Sequence, residues 1–197
     1  MNMKTITQID LTAIIQGEIK NLSGANLAGL DLSQANLMGA NLSGANLQNT
    51  ILRANLKGAD LTGTNLVEAD LRNADLRGAI LLEVSALNAS FAGAFLAGAI
   101  LSHLDLTAVD FRGADLRGVN LVGSILNRTD FSSSNLSGAD LSQADLEEAI
   151  LNGAVLRGTN FTQANLLCVQ IEEAVLTGAI FADCCLEGTN IEFIKMV

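Results

Sequence analysis

The chain has 197 residues and a formal net charge of −10, and 49% of its residues are hydrophobic. This length suits one domain of ordinary size, and the acidic excess disfavours generic binding to nucleic acid or to an anionic membrane. Residues 1–5 are followed by no apolar segment long enough for a signal peptide or a membrane span, so we expect a soluble cytoplasmic protein. The three cysteines, Cys168, Cys184 and Cys185, have no metal-ligand spacing, and we interpret them as reduced filler.

The N-terminal segment has the pattern of a short helix. Apolar residues follow a helical spacing between Gln8 and Gln16, with Thr7 placed to cap the start and Gly17 to end the helix. We therefore predict a short helical cap within residues 1–21.

From Leu22 to Ile191 an apolar residue recurs at every fifth position. A period of five matches neither an amphipathic helix nor a half-buried strand, so each unit forms one side of a solenoid. The central position, called i, is Leu in 27 of 35 units, Phe in five and Ile in two, with Ala86 as the exception. Position i−2 is Ala in twenty units. Large side chains at i and small ones at i−2 are expected to fill a narrow tube.

These A(D/N)LxG units, such as ANLAG at 25–29 and ADLRG at 114–118, resemble those of the pentapeptide repeat family, especially its cyanobacterial members. The resemblance implies an all-β fold, a right-handed quadrilateral parallel β-helix in which four units close one coil, here with about 8–9 coils. We predict that residues 22–191 form this β-helix and that residues 192–197 form a C-terminal cap segment.

A 20-residue period in the glycines supports four units per coil. Glycine occupies position i+2 in every fourth unit, which predicts a corner with positive φ on one side, whereas the other sides tolerate Glu, Asn and Gln. The glycines are Gly58, Gly78, Gly98, Gly118, Gly138, Gly158 and Gly178. We name the sides by their central residues: A (Leu56, Leu76, Leu96), B (Leu61, Leu81), C (Leu66, Ala86) and D (Leu71, Phe91).

Three further features of the repeat carry structural predictions. Phe91, Phe111 and Phe131 should stack inside the tube. Ten of the 21 acidic residues are Asp at i−1, where Asn alternates with Asp, so this position is expected to bond local backbone at a turn. At 52–56 the centres are four residues apart, which predicts one tightened corner.

Seven of the eleven basic residues lie at i+1 on the neighbouring sides D and A, where stacking aligns them into a stripe. They are Arg53, Lys57, Arg72, Arg77, Arg112, Arg117 and Arg157. Two interpretations remain open. The charges are solubilising and neutralised by nearby aspartates, or the stripe docks a partner through carboxylates or phosphates.

Around Ala86 the pattern weakens. Val67, Leu82 and Leu87 fall at outward i+1 positions, and Phe95 is outward at i−1. We favour a bulge that tucks Leu87 into the space that Ala86 leaves. The alternative is a small exposed apolar patch for a partner.

Acidic residues outside the turn position gather towards the C-terminal end, as at Glu147, Glu148, Glu172 and Glu173. They form either a solvated face or a surface for a basic partner.

No motif supports catalysis. His103 is a lone histidine at an outward position, and we predict no enzyme activity, no cofactor and no metal site. Our leading hypothesis is a non-enzymatic protein-interaction scaffold or regulatory binding module, with a protein partner of unknown identity and no direct nucleic-acid or membrane contact.

The family resemblance implies an alternative function, because some members protect DNA gyrase or topoisomerase IV as DNA mimics. The net charge fits this function. Those relatives carry a C-terminal helix for end-to-end dimers, whereas six residues follow Ile191 here. We expect a monomer or a weak dimer through the chain ends.

Overall fold

A computed structural model describes residues 10–190 of the chain. The repeats form a parallel β-helix, in which a residue at i−1 makes a single-residue parallel bridge to the same position of the next coil. Successive bridges lead from Asn21 through Asn41 and Asp60 to Ile180, which gives eight full coils and part of a ninth. The four-sided coil is confirmed, while its handedness and the domain boundaries stay predictions.

Most corners of the coil are β-turns. The N–H of residue i+3 donates to the C=O of residue i, as from Ala25 to Leu22 at 3.0 Å. Position i+2 has positive φ on all four sides, with 59° at Glu68, 60° at Asn73 and 63° at Gly58. The positive φ on side A is confirmed, but the expectation that the other sides differ is wrong, because the same type II turn recurs on all four sides.

Short side chains at i−1 bond the turn that follows them. Asp60 Oδ1 accepts from the N–H of Thr62 at 2.9 Å, and Asp31 Oδ1 accepts from that of Ser33 at 2.9 Å. Hydrogen bonds from the side chains and the amides of Ser33 and Thr62 lower the pKa of both carboxyls. The predicted local role of this position is confirmed.

The interior is filled as the repeat predicts. The side chains at i and i−2 are buried from Leu32 to Ile171 and partly buried in the last coil. The Phe91, Phe111 and Phe131 rings stack with centroids 5.1 and 5.3 Å apart. Where i−2 is Thr, its hydroxyl can donate to a main-chain carbonyl of the preceding coil, as from Thr50 to Leu27 O at 3.0 Å. This bond satisfies the Thr50 hydroxyl inside the tube, whereas the buried hydroxyls of Thr64 and Ser134 have no hydrogen-bond partner among the described residues.

The slip at 52–56 is absorbed in a single corner. The N–H of Ala54 donates to Leu52 O at 2.8 Å, two residues back instead of three. The glycine column on side A continues across it, because the Gly39 N–H donates to Lys57 O at 2.9 Å. The predicted tightened corner is confirmed.

Helix α1 spans Leu11–Gln16 and begins later than the sequence indicates. Asp10 is the N-cap, and its side chain accepts from the N–H of Ala13 at 3.0 Å. The predicted start at Gln8 with Thr7 as cap is wrong, because the Asp10 carboxylate satisfies the first turn. Thr7 and Gln8 themselves lie outside the described residues.

The end of α1 is where the sequence places it. Gly17 is the C-cap, with φ 77°. Ile14 is buried in the core, and Ile15 O accepts from the N–H of Asn36 at 3.0 Å, so the helix is joined to the first coil. The predicted C-terminal cap at 192–197 lies outside the described residues.

Candidate functional site

The basic stripe on sides D and A is interrupted in coil 80–99, where Ala92 and Ala97 take the i+1 positions. Phe95 lies in this gap on side A. It is bridged to Asp75 in the coil below and to Asp115 in the coil above, and it is 47% exposed. An exposed aromatic ring therefore stands between the charged residues of the two flanking coils. We call Phe95 with Arg72, Arg77, Arg112 and Arg117 the arginine face.

Each arginine of this face is clamped by the aspartate two residues before it. Arg77 donates from Nε to Asp75 Oδ1 at 2.8 Å and from Nη2 to Asp75 Oδ2 at 2.6 Å. The same two-bond geometry holds Arg72 on Asp70, Arg112 on Asp110 and Arg117 on Asp115. A bidentate pair fixes the plane of the guanidinium, so these four groups are oriented before any partner arrives.

The pairs also set the charge of the face. Hydrogen bonds from the arginines lower the pKa of Asp70, Asp75, Asp110 and Asp115, although partial burial acts in the opposite direction. The carboxylates therefore stay ionised, and each neutralises its arginine. The acidic neighbours that the sequence indicates are present for these four residues.

The remaining basic residues of the stripe differ from these pairs. Arg53 reaches into the next coil and donates from Nε to Asp70 Oδ2 at 3.0 Å. Within residues 10–190, Lys57 and Arg157 have no acidic partner within 4.0 Å. Among the described residues, the stripe is thus a set of clamped pairs with Arg53 sharing the carboxylate of Asp70 and with two unpaired cations, rather than a uniform positive band.

A shallow cleft of about 490 Å³ lies on side D between Arg72 and Arg112. Ser90 and Ala92 also line it, and the Ser90 hydroxyl donates to Asp110 Oδ2 at 3.2 Å. Because Ala92 replaces an arginine here, the arginine face has a recess large enough for a partner's side chain.

A second surface lies across the rod, where the sequence pattern weakens. Leu87 is 59% exposed, so the favoured prediction that it tucks inward is wrong. Ala86 is itself buried, and two large residues at i−2 of side C, Val84 and Leu104, are buried in the same core. Val84 and Leu104 fill the interior space that a Leu in place of Ala86 would occupy, so Leu87 remains on the outside.

The hydrogen-bond ladder is interrupted at this place. Between coils 80–99 and 100–119 the bridge that would join Ser85 to Asp105 is missing, although both residues have bridges to their other neighbours. Five successive inter-coil bonds are also missing. The amide donors of these five missing bonds, none of which has a partner among the described residues, are Glu83, Ala86, Asn88, Asp105 and Asp110. We call this part of side C, from 83 to 89 and from 102 to 110, the open side.

The physical cause is overpacking at i−2. Other corners hold Ala, Ser, Thr or Cys in that column of side C, whereas Leu104 lies directly after Val84 in the stack. Extra methylenes in a packed interior force backbone shifts. The turn of Leu104 is altered as well, because its N–H donates to Ser124 Oγ at 3.3 Å, and that hydroxyl donates to Leu101 O at 2.8 Å.

The open side contains a cleft of about 380 Å³ lined by residues 83–87 with Asp105 and Thr107. Leu82 and Leu87 are exposed beside it, and Val67 is partly exposed one coil below Leu87. Phe95 lies on the opposite side of the rod, so the predicted apolar patch does not form one surface.

Two further exposed apolar residues near Leu82 were not predicted from the sequence. Ile80 and Ile100 stack on side B as exposed neighbours at i−1. The signal was available, because both replace the Asp or Asn that this position usually holds.

A family model described as pentapeptide repeats matches the chain in eight copies. The matched segments are residues 21–53, 54–85, 88–123, 114–153, 139–178 and 154–192. The chain belongs to the pentapeptide repeat family. No curated protein matches it significantly by sequence.

Solved structures of pentapeptide repeat proteins resemble this chain. A trypsin-treated form of QnrB1, a plasmid-mediated fluoroquinolone resistance protein, is 19% identical, with 90% of each chain covered and a TM-score of 0.66. At this identity the likeness shows the fold alone.

Two cyanobacterial proteins also match. HetL, involved in heterocyst differentiation regulation in Nostoc sp. strain PCC 7120, is 30% identical, with 85% of this chain and 87% of HetL covered and a TM-score of 0.32. Rfr23 from Cyanothece 51142 is 22% identical, with 84% and 86% covered and a TM-score of 0.22. Superpositions this poor support no comparison of surfaces.

This pentapeptide repeat protein has few groups suited to chemistry in its described part. Within residues 10–190 no cluster of three or more His, Cys, Asp or Glu side chains is arranged to hold a metal ion. None of the helices in that range has the length and apolarity needed to cross a membrane. Cys184 donates its thiol to Phe161 O at 2.8 Å, in the manner of the buried threonines, and burial raises its pKa.

Proposed function

We propose that this protein is a non-enzymatic interaction module that binds a protein partner through the arginine face. The observation that carries the proposal is Phe95, exposed between the clamped pairs of Arg77 and Arg117. Aromatic residues, including Phe, and arginine are enriched in the cores of protein interfaces, and here the two types are adjacent.

The clamped arginines favour binding because they lose little side-chain freedom on association. Nε and one hydrogen of Nη2 are engaged by aspartate, so Nη1 and the outer hydrogens stay available to acceptors of a partner. Since the pairs are neutral overall, attraction depends on short-range contacts. A partner with an apolar pocket for Phe95 and carboxylate or carbonyl oxygens beside it fits this face.

Residues around Phe95 leave it accessible. Ala97 and Gly98 follow it on side A, and a Cβ placed on Gly98 would meet no atom within 4 Å. The same is true of Gly78 and Gly118 in the flanking coils. A partner's backbone can therefore approach the rod closely along this edge.

Affinity capture from a lysate of the source organism tests the proposal. Wild type is compared with Phe95→Ser and with Ile125→Ser, a control of similar exposure on side C. A protein retained by wild type and by the control but lost by Phe95→Ser is the expected result. Identical capture by all three would contradict it.

A double variant, Arg77→Gln with Arg117→Gln, tests the contribution of the arginines to binding separately from that of the Phe95 ring. Circular dichroism checks that each variant is folded. We expect weaker capture by the double variant and an intact fold, since the substituted side chains are about half exposed.

Binding to gyrase or topoisomerase as a DNA mimic is a second candidate function. The net charge of −10 favours it, together with the fold shared with QnrB1. The arginine face is not acidic, so a mimic would have to use other sides. In a gyrase supercoiling assay, excess protein that neither inhibits nor protects the enzyme removes this candidate.

Cytoplasmic location and a monomeric or weakly dimeric state are part of the proposal. Light scattering of a chain truncated after Ile191 tests the role of the C-terminal end. An unchanged molecular mass would count against pairing through that end.

A further inference from the structure

We propose that the open side is a second binding site, which takes an extended, basic peptide segment of a partner protein. It lies on side C, opposite side A of the arginine face, so it does not depend on the function proposed above. Unpaired backbone groups, exposed aliphatic side chains and local charge support it.

The backbone of the open side has hydrogen-bonding groups that coil stacking leaves unused. Elsewhere on side C the ladder is complete, as where Leu66 N–H donates to Ser85 O at 2.7 Å. In the opening, the amides of Ala86 and Asn88 and the carbonyls of Asp105 and Thr107 have no hydrogen-bond partner within residues 10–190. An extended peptide offers alternating donors and acceptors, which is how peptides are bound at the edges of sheets.

Three of these four residues, Ala86, Asp105 and Thr107, line the cleft of about 380 Å³, so this part of the opening is reachable from outside. Leu82 and Leu87 provide exposed aliphatic surface next to it. Exposed aliphatic side chains grouped around a cleft favour a ligand with an apolar side chain.

The negative charge around the cleft favours an apolar ligand that also carries basic residues. Glu83 and Asp105 line the cleft, which contains no lysine or arginine, and Glu68 lies one coil below. A peptide with Lys or Arg between its apolar residues complements this surface. A second copy of this acidic chain does not, since two molecules of net charge −10 repel each other.

Fluorescence anisotropy with a labelled peptide, KVKVKVK, tests the proposal at low ionic strength. The matched probes are EVEVEVE and a KVKVKVK peptide N-methylated at alternate residues, which lacks half of the backbone donors. We expect wild type to bind KVKVKVK and to bind both control peptides at least about tenfold more weakly.

A variant that closes the gap in the ladder, called the closing variant, tests the role of the opening separately from that of the local charge. Val84→Ala, Ala86→Leu and Leu104→Ala together restore the usual residues at i−2 and i without changing any charge. This variant should bind KVKVKVK about tenfold more weakly than wild type. Equal binding by the closing variant, equal binding of the N-methylated peptide, or no binding by wild type would overturn the proposal.

Two surface variants test the location of the site even if the closing variant does not fold. Leu87→Ser should weaken binding severalfold. Val122→Ser, also at i+1 but on an intact part of the ladder, should leave it unchanged. Bound KVKVKVK should also slow hydrogen exchange at the amides of Ala86 and Asn88. Loss of binding in Val122→Ser to the same extent as in Leu87→Ser would contradict this location.

Discussion

The junction between coils 80–99 and 100–119 is closed on side A and open on side C. On side A, Leu96 N–H donates to Asp115 O at 2.7 Å and Gly98 N–H donates to Arg117 O at 2.9 Å. On side C the corresponding amides of Ala86 and Asn88 have no such partner within the described residues. Both sides offer the same backbone groups. Interior packing therefore decides whether the ladder closes, since side A has Ala94 where side C has Val84.

The largest expected effect comes from breaking the closed side. Leu96→Ala removes a fully buried side chain from the centre of side A, so we expect a loss of about 2–5 kcal/mol in the free energy of unfolding. Urea denaturation measures it. Leu82→Ala, at an exposed position in the same coil, is the control and should change stability by no more than about 0.5 kcal/mol. Similar losses in both would show that the core is not organised as described.

Closing the open side should have the next largest effect. The Val84→Ala, Ala86→Leu and Leu104→Ala combination is expected to raise the free energy of unfolding by about 1–3 kcal/mol, because strain is relieved and backbone bonds form. Hydrogen exchange gives a local measure. In wild type the amides of Ala86 and Asn88 should exchange faster than that of Leu96, and in the variant this difference should shrink. Unchanged exchange would show that overpacking is not the cause.

Lowering the pH should reduce the stability that the aspartates of side A contribute. Arg77 lowers the folded-state pKa of Asp75 below its unfolded value of about 3.9. The pair therefore contributes stability above about pH 4, and this contribution is lost as the pH falls through the folded pKa. Asp75→Asn should be less stable than wild type at neutral pH, with a difference that shrinks on acidification. Thermal denaturation between neutral and acidic pH measures it, and a constant difference would contradict the assignment.

The smallest effect is expected from a single arginine of side A. Arg117→Gln removes one exposed ion pair, which typically contributes no more than about 1 kcal/mol. The thermal midpoint should move by a few degrees at most, and added salt should reduce the change further. A large loss would mean that this arginine supports the rod instead of remaining available to a partner.

Much of the fold was predictable, because the five-residue period determines which side chains stack. The four sides, the Phe91 to Phe131 stack and the tightened corner at Ala54 all follow from counting positions. The start of α1 was not predictable by spacing alone, since Asp10 and Thr7 both have capping side chains.

The candidate sites were predicted only in part. Clamping of Arg77 by Asp75 was foreseeable, because both flank one central residue. The exposure of Leu87 was not foreseeable, because it depends on how the side chains of Val84 and Leu104, in two neighbouring coils, together fill the interior. A single five-residue unit does not show how side chains of neighbouring coils share the interior.

The corner at Leu52 and Ala54 has a consequence for how such a chain tolerates length changes. One residue is missing there, yet the bridges on both sides of it stay in register. A deletion that would displace every later position in a helix is here confined to a single bend. Corners of this rod are accordingly the places where protein engineers can remove a residue, or graft a short insertion, while the neighbouring layers keep their alignment.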